Sequence, residues 1–163
     1  MESHGNETKL HPIRDNEPAI KRSIEQFSNI RPISIKNSLE IGHSKVVLFT
    51  FENQIGESIF DKGINKNLLN KNVGHGTSKI RYSIIKSGDT KYVTLLGEND
   101  NLGSAKISVG GEIYNLSIPK DHFFISTVKV SDSHESLIEW VVLFDTANKE
   151  VLRINLPNDQ VLE

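Results

Sequence analysis

Three stretches of this 163-residue chain group side chains that could do chemistry. The first, NKNVGHGTSK at residues 70–79, sets glycines on either side of His75 and ends in two hydroxyls and a lysine. A phosphate-binding loop needs a strand, then G-x-x-x-x-G-K-[ST], then a helix whose first amides meet the phosphates. Here the order is Gly76-Thr77-Ser78-Lys79, and the next residues, IRYSIIK, alternate as a strand. A metal site would need partners for His75. The six histidines (His4, His11, His43, His75, His122 and His134) stand apart, without an H-x-H or H-x-x-x-H pair. The stretch is expected to be a long glycine-bearing loop leading into a strand, with His75 solvated.

The second stretch, SDSHES at 131–136, places serine, aspartate and histidine side by side. A nucleophilic triad converges from distant parts of a chain, and there is no G-x-S-x-G elbow, so a solvated turn is expected. The third, GENDN at 97–101, offers Glu98, Asn99 and Asp100 to a cation but lacks the order of a calcium loop. Trp140, the single tryptophan, lies in SLIEWVVLFD. Simple alternation puts Ile138, Trp140, Val142 and Phe144 on one face, with Leu137, Val141 and Leu143 on the other. That pattern reads as buried on both sides and Trp140 as core; the alternative is a platform for stacking sugars or peptides. Asn6-Glu7-Thr8 and Asn115-Leu116-Ser117 match glycosylation acceptors, a frequent coincidence where fifteen asparagines are present.

No catalytic residue, metal ligand or cofactor is assigned. With no cysteine, disulfides, thiolate chemistry and cysteine-held zinc or iron–sulfur sites are excluded. The net charge of −2 hides an asymmetry. Residues 62–91 carry +6 through Lys62, Lys66, Lys71, Lys79, Arg81, Lys86 and Lys91 against Asp89, while residues 1–61 carry −2 and 92–163 carry −6. These seven basic residues are the candidate contacts to an anionic surface. Lysines that keep strand edges from pairing are the plainer reading. Nucleic acid is not an expected partner, because only Tyr82 and Tyr92 flank the basic strands.

The elements that would position these residues are mostly strands. Leu, Ile, Val and Phe number 51, of which Ile and Val supply 30, against three alanines. Stiff β-branched side chains favour sheets. One helix is expected in DNEPAIKRSIEQFSN: Asp15 or Asn16 caps it, Pro18 fits its first turn, and Ile20, Ile24 and Phe27 form one stripe. KVVLFTFEN reads as a central strand covered on both faces, turning at NQIG into ESIFDKG. KIRYSIIK and KYVTLLG form a hairpin through SGD. SAKISV and EIYNLSI form another through two glycines. HFFISTVKV, SLIEWVVLFD and EVLRINL complete the set. The expected fold is α+β and mostly β: a tail at 1–14, a helix on an antiparallel sheet at 15–98, and a β-sandwich-like part at 99–163.

The segments EPAIKRSIEQF, VVLFTFENQIGESIF, TKYVTLLGENDN and IEWVVLFDTANKEVLRI resemble small extracytoplasmic, membrane- or lipid-anchored β-rich proteins of Gram-positive, spore-forming bacteria. The resemblance spans residues 17–155 and rests on strand and turn patterns. It implies an anchor before residue 1, which this chain lacks, and carries over no site residue. The expectation is therefore a non-enzymatic, extracytoplasmic, membrane-associated binding module. Its ligand is unspecified, and its basic segment faces an anionic membrane, the wall or a protein partner. The alternative is an intracellular, cytoplasmic α+β small-molecule-binding domain or enzyme with a pocket between helix and sheet.

Overall fold

The computed structural model describes residues 11–131 and 137–156. Residues 1–10, most of the 131–136 stretch and residues 157–163 lie outside the description, and with them His4, His134 and the Asn6 acceptor. The described residues hold one α-helix, a short 3-10 helix at Ile64–Lys66, and eleven strands in three antiparallel sheets. The fold is α+β and mostly β. It packs as two units, Met1–Arg81 and Tyr82–Glu163.

In the first unit α1 (Glu17–Ser28) covers the sheet β1-β2-β3-β4, built from Ser34–Ile41, Ser44–Phe51, Gln54–Lys62 and Leu68–Gly76. Asn16 is the cap, its side chain accepting from the Ala19 N–H at 2.9 Å, while Asp15 pairs with Lys45 Nζ at 2.6 Å. Asn29 closes the helix in the left-handed region at φ 60°. Ile20 and Ile24 pack with Val47, Phe49, Phe60 and Leu68, and this cluster is the core. On the opposite face of β2, Val46 and Leu48 are also fully buried, as expected of a central strand. Ile13, at the end of the segment read as a tail, pairs with Leu68 through two backbone bonds of 2.7 and 2.8 Å.

Three local expectations need correction. The β2–β3 turn is Glu52-Asn53, not NQIG, because Phe51 already pairs with Gln54. The 70–79 stretch is not a loop. Residues up to Gly76 form β4, laddered to β3 with His75 opposite Gly56 and Gly74 opposite Glu57. Its asparagines and glycines are poor strand formers, but the ladder supplies the backbone bonds, and Gly74 sits where a side chain would not fit. In KIRYSIIK, Tyr82 is exposed while Ile80, Ile85 and Ser87 are buried, so simple alternation fails along that strand.

The second unit has two sheets, β5-β6-β9 and β11-β10-β7-β8. Their strands are β5 (Ile80–Ser87), β6 (Thr90–Glu98), β7 (Leu102–Val109), β8 (Glu112–Ser117), β9 (Phe123–Val130), β10 (Ile138–Asp145) and β11 (Glu150–Asn155). Gly110 and Gly111, at φ 57° and 85°, make the expected turn between β7 and β8. The unit takes in β5 from Tyr82 onward and all of β6, which the sequence grouped with the helix. The reason is β9, which leaves its neighbours in sequence and pairs with β6 from Glu98↔Phe123 to Lys91↔Val130.

Candidate functional site

The outward face of the sheet β11-β10-β7-β8 gathers the polar and aromatic groups best placed to meet a ligand. Strand alternation alone would put Ile138 and Trp140 on the same face. A bulge at Glu139 prevents this: Ile138 pairs with Val109 and Trp140 with Ser108. Ile138 then joins the buried face with Val141, Leu143 and Ile107, all at most 5% exposed. Trp140 and Phe144 turn outward and are half-buried. The expectation that Trp140 is a core residue covered on both sides is therefore corrected.

The neighbours of Trp140 follow from register. Asn155 lies opposite it on β11 and Ser108 on β7, with Ile113 beyond on β8. The next row holds Arg153, Val142, Lys106 and Asn115. Asn115, Asn155, Lys106 and Arg153 are exposed, and Ile113 is 59% exposed. Lys106 Nζ stands 5.9 Å from the centre of the Phe144 ring. Four rises of a strand separate Trp140 from Phe144 by about 13 Å.

Glu139 holds the bulge. Its Oε1 accepts from the Ser108 hydroxyl at 2.6 Å and from the Gly111 N–H at 3.1 Å. The Ser108 bond first, and the Gly111 bond second, hold this carboxyl below the usual glutamate range, against a smaller opposing effect of burial. A lowered folded-state pKa means that Glu139 adds stability above its unfolded pKa and loses it as pH falls through the folded value. In a carboxyl NMR titration the Glu139 midpoint is expected below that of ordinary glutamates, and S108A is expected to return it most of the way. An unchanged midpoint in S108A would remove the assigned cause.

At the sheet edge, Arg153 donates to Glu150 at 2.9 and 3.1 Å. That contact pulls the Glu150 pKa down and pushes the Arg153 pKa up.

The seven basic candidates scatter. Lys62 pairs with Glu40 at 2.6 Å, Lys71 with Asp61 at 3.8 Å, and Arg81 with Glu57. Lys66, Lys79 and Lys86 are exposed, and Lys91 is half-buried. Lys86 and Lys91 belong to the second unit and the other five to the first. The Glu57–Arg81 pair is largely buried, with side chains 11% and 24% exposed. It lies over Gly74, where a Cβ would come within 2.5 Å of Glu57 Oε2 and 2.9 Å of Arg81 Nη2. The glycines of 70–79 thus make room for an ion pair, an arrangement that gives no sign of itself at the sequence level. His75 is exposed, with Nδ1 2.6 Å from Gln54 Oε1. In 97–101, Asn99 bridges its own turn, accepting from the Leu102 N–H and donating to the Pro119 carbonyl. Among the described residues no three His, Cys, Asp or Glu side chains are grouped to hold a metal.

Between α1 and β1 lies an open cleft of about 210 Å³, lined in part by Asn16, Ile20, Ile35 and Val47. Three of its polar side chains are already engaged, Asp15 with Lys45 and Asn16 with the helix N-terminus. Comparisons with protein-family models, with curated proteins and with solved structures find no match.

Proposed function

We propose that this chain is a non-enzymatic, extracytoplasmic binding module, and that its ligand is a polyhydroxylated chain such as a wall glycan laid across the outward face of β11-β10-β7-β8. The observation that carries the reading is Trp140 turned out of the core by the Glu139 bulge. An indole face stacks on the C–H face of a sugar ring, and flanking amides and cations bond the hydroxyls. Asn115, Asn155 and Lys106 are such groups, while Arg153 already donates to Glu150. The distance of about 13 Å between the two rings suits an extended ligand better than a single small molecule. Orientation on an anionic membrane or wall would fall to Lys66 and Lys79 of the first unit, where Lys62, Lys71 and Arg81 already face carboxylates.

Trp140 is the single tryptophan of the chain, so fluorescence excited at the red edge, where the three tyrosines do not absorb, reports on this face alone. Titration with soluble peptidoglycan fragments is expected to shift its emission saturably. W140A, followed by calorimetry, is expected to weaken binding at least about tenfold, roughly 1.4 kcal/mol. Anionic vesicles at low salt are the second probe. Binding to them that survives W140A and vanishes at about 0.5 M salt would identify a charge-driven surface and displace the glycan. No response to either probe would overturn the proposal.

A further inference from the structure

We infer that β11 joins two copies of this chain, its outer edge pairing antiparallel with the same strand of a second copy. β11 ends its sheet, and among the described residues no strand pairs with its outer edge. Residues 150–153 are all exposed, with Val151 50% and Leu152 43% exposed. An open edge carrying apolar side chains is a template for another strand.

Two other edges, in the first unit, are already engaged by local bonds. β1, like β11, carries a bulge, but on β1 the Ser38 N–H is taken by Asn37 Oδ1 at 2.8 Å. On β4, Ile13 bridges to Leu68.

Charge selects the occupant of the β11 edge. The irregularity between Leu143 and Phe144 places Glu150 opposite Phe144 and Arg153 opposite Val142, on one face of the sheet. The two side chains then meet within one chain at 2.9 Å. A two-fold axis between Val151 and Leu152 sets Glu150 opposite Arg153 of the second copy, twice. Val151 then faces Leu152 of the second copy, also twice. This strand is complementary to itself in both charge and apolar contact. The axis runs perpendicular to the sheet, so both Trp140 faces open on the same side of one eight-stranded sheet. A ligand with repeating units would engage both at once. An edge contact buries less than a standard interface, so the dimer is expected to be weak, forming at roughly 100 µM.

Sedimentation equilibrium of the full chain over a range of concentration tests this. Wild type is expected to dimerise. R153E sets carboxylate against carboxylate and should raise the dimer dissociation constant at least about tenfold. E150R/R153E exchanges the charges, keeps the pair within each chain, and should restore the dimer. A wild type that stays monomeric at about 500 µM, R153E that dimerises like wild type, or a folded double variant that does not recover would each overturn the inference. W140A is expected to dimerise normally, so failure of the glycan reading is separable from failure of this one.

Discussion

Gly56→Ala is expected to destabilise the first unit by about 3 kcal/mol, measured by urea unfolding. A Cβ at this position would fall on Phe49 Cζ and 2.7 Å from the carbonyl oxygen of Gly74. Neither neighbour has room to retreat. Phe49 is fully buried in the cluster with Ile24, Phe60 and Leu68, and the Gly74 oxygen belongs to the β4 backbone. The ring must leave its rotamer or the strands must part. A companion substitution separates these costs. Phe49→Leu removes the colliding carbons, so G56A should cost less in F49L than in wild type, with a coupling of about 1 kcal/mol or more. A G56A protein within about 0.5 kcal/mol of wild type would mean that the Phe49 ring does not lie on Gly56.

The second large effect concerns Glu57 and Arg81. Removing Glu57 leaves a guanidinium that is about three-quarters out of water without its counter-charge. E57A is expected to cost about 2 kcal/mol, below the range for fully buried pairs because Arg81 keeps some solvent. R81A should cost a similar amount by stranding the carboxylate. The double variant should cost clearly less than the two singles added, since it leaves no lone charge. Stability of the wild type should respond little to salt. Single costs under about 0.5 kcal/mol would make this an ordinary surface pair.

These two predictions rest on β4, the element least legible in the sequence. The helix was plain, because Asn16, Pro18 and the Ile20–Ile24 spacing act locally. The β7–β8 turn was plain as well, since two consecutive glycines at positive φ suit few other structures. The glycines of β4 mean something else. They are small because Glu57 on β3 and Arg81 on the strand that follows occupy the space a Cβ would fill. Local propensity reads such glycines as a loop.

Trp140 was hidden in a similar way. Counting by twos along SLIEWVVLFD fails at Glu139, and what holds that bulge is a bond to Ser108 and to a turn amide on another hairpin. The pairing of β9 with β6 rather than with β8 or β10 is a choice among several similar apolar strands. No single strand records it.

That pairing has a consequence for how the chain is made. The β5–β6 hairpin leaves the ribosome with Val93, Leu95 and Leu96 already in place, all at most 2% exposed in the finished fold. Its free edge waits for Val130 to be synthesised before Lys91 finds a partner. β7 waits longer, for β10. Until then the growing polypeptide offers two unsatisfied strand edges rich in apolar side chains, the condition under which nascent chains associate with one another. Slow, late closure is thus built into the order of the strands, and the vulnerable window is the interval of translation between residues 98 and 145.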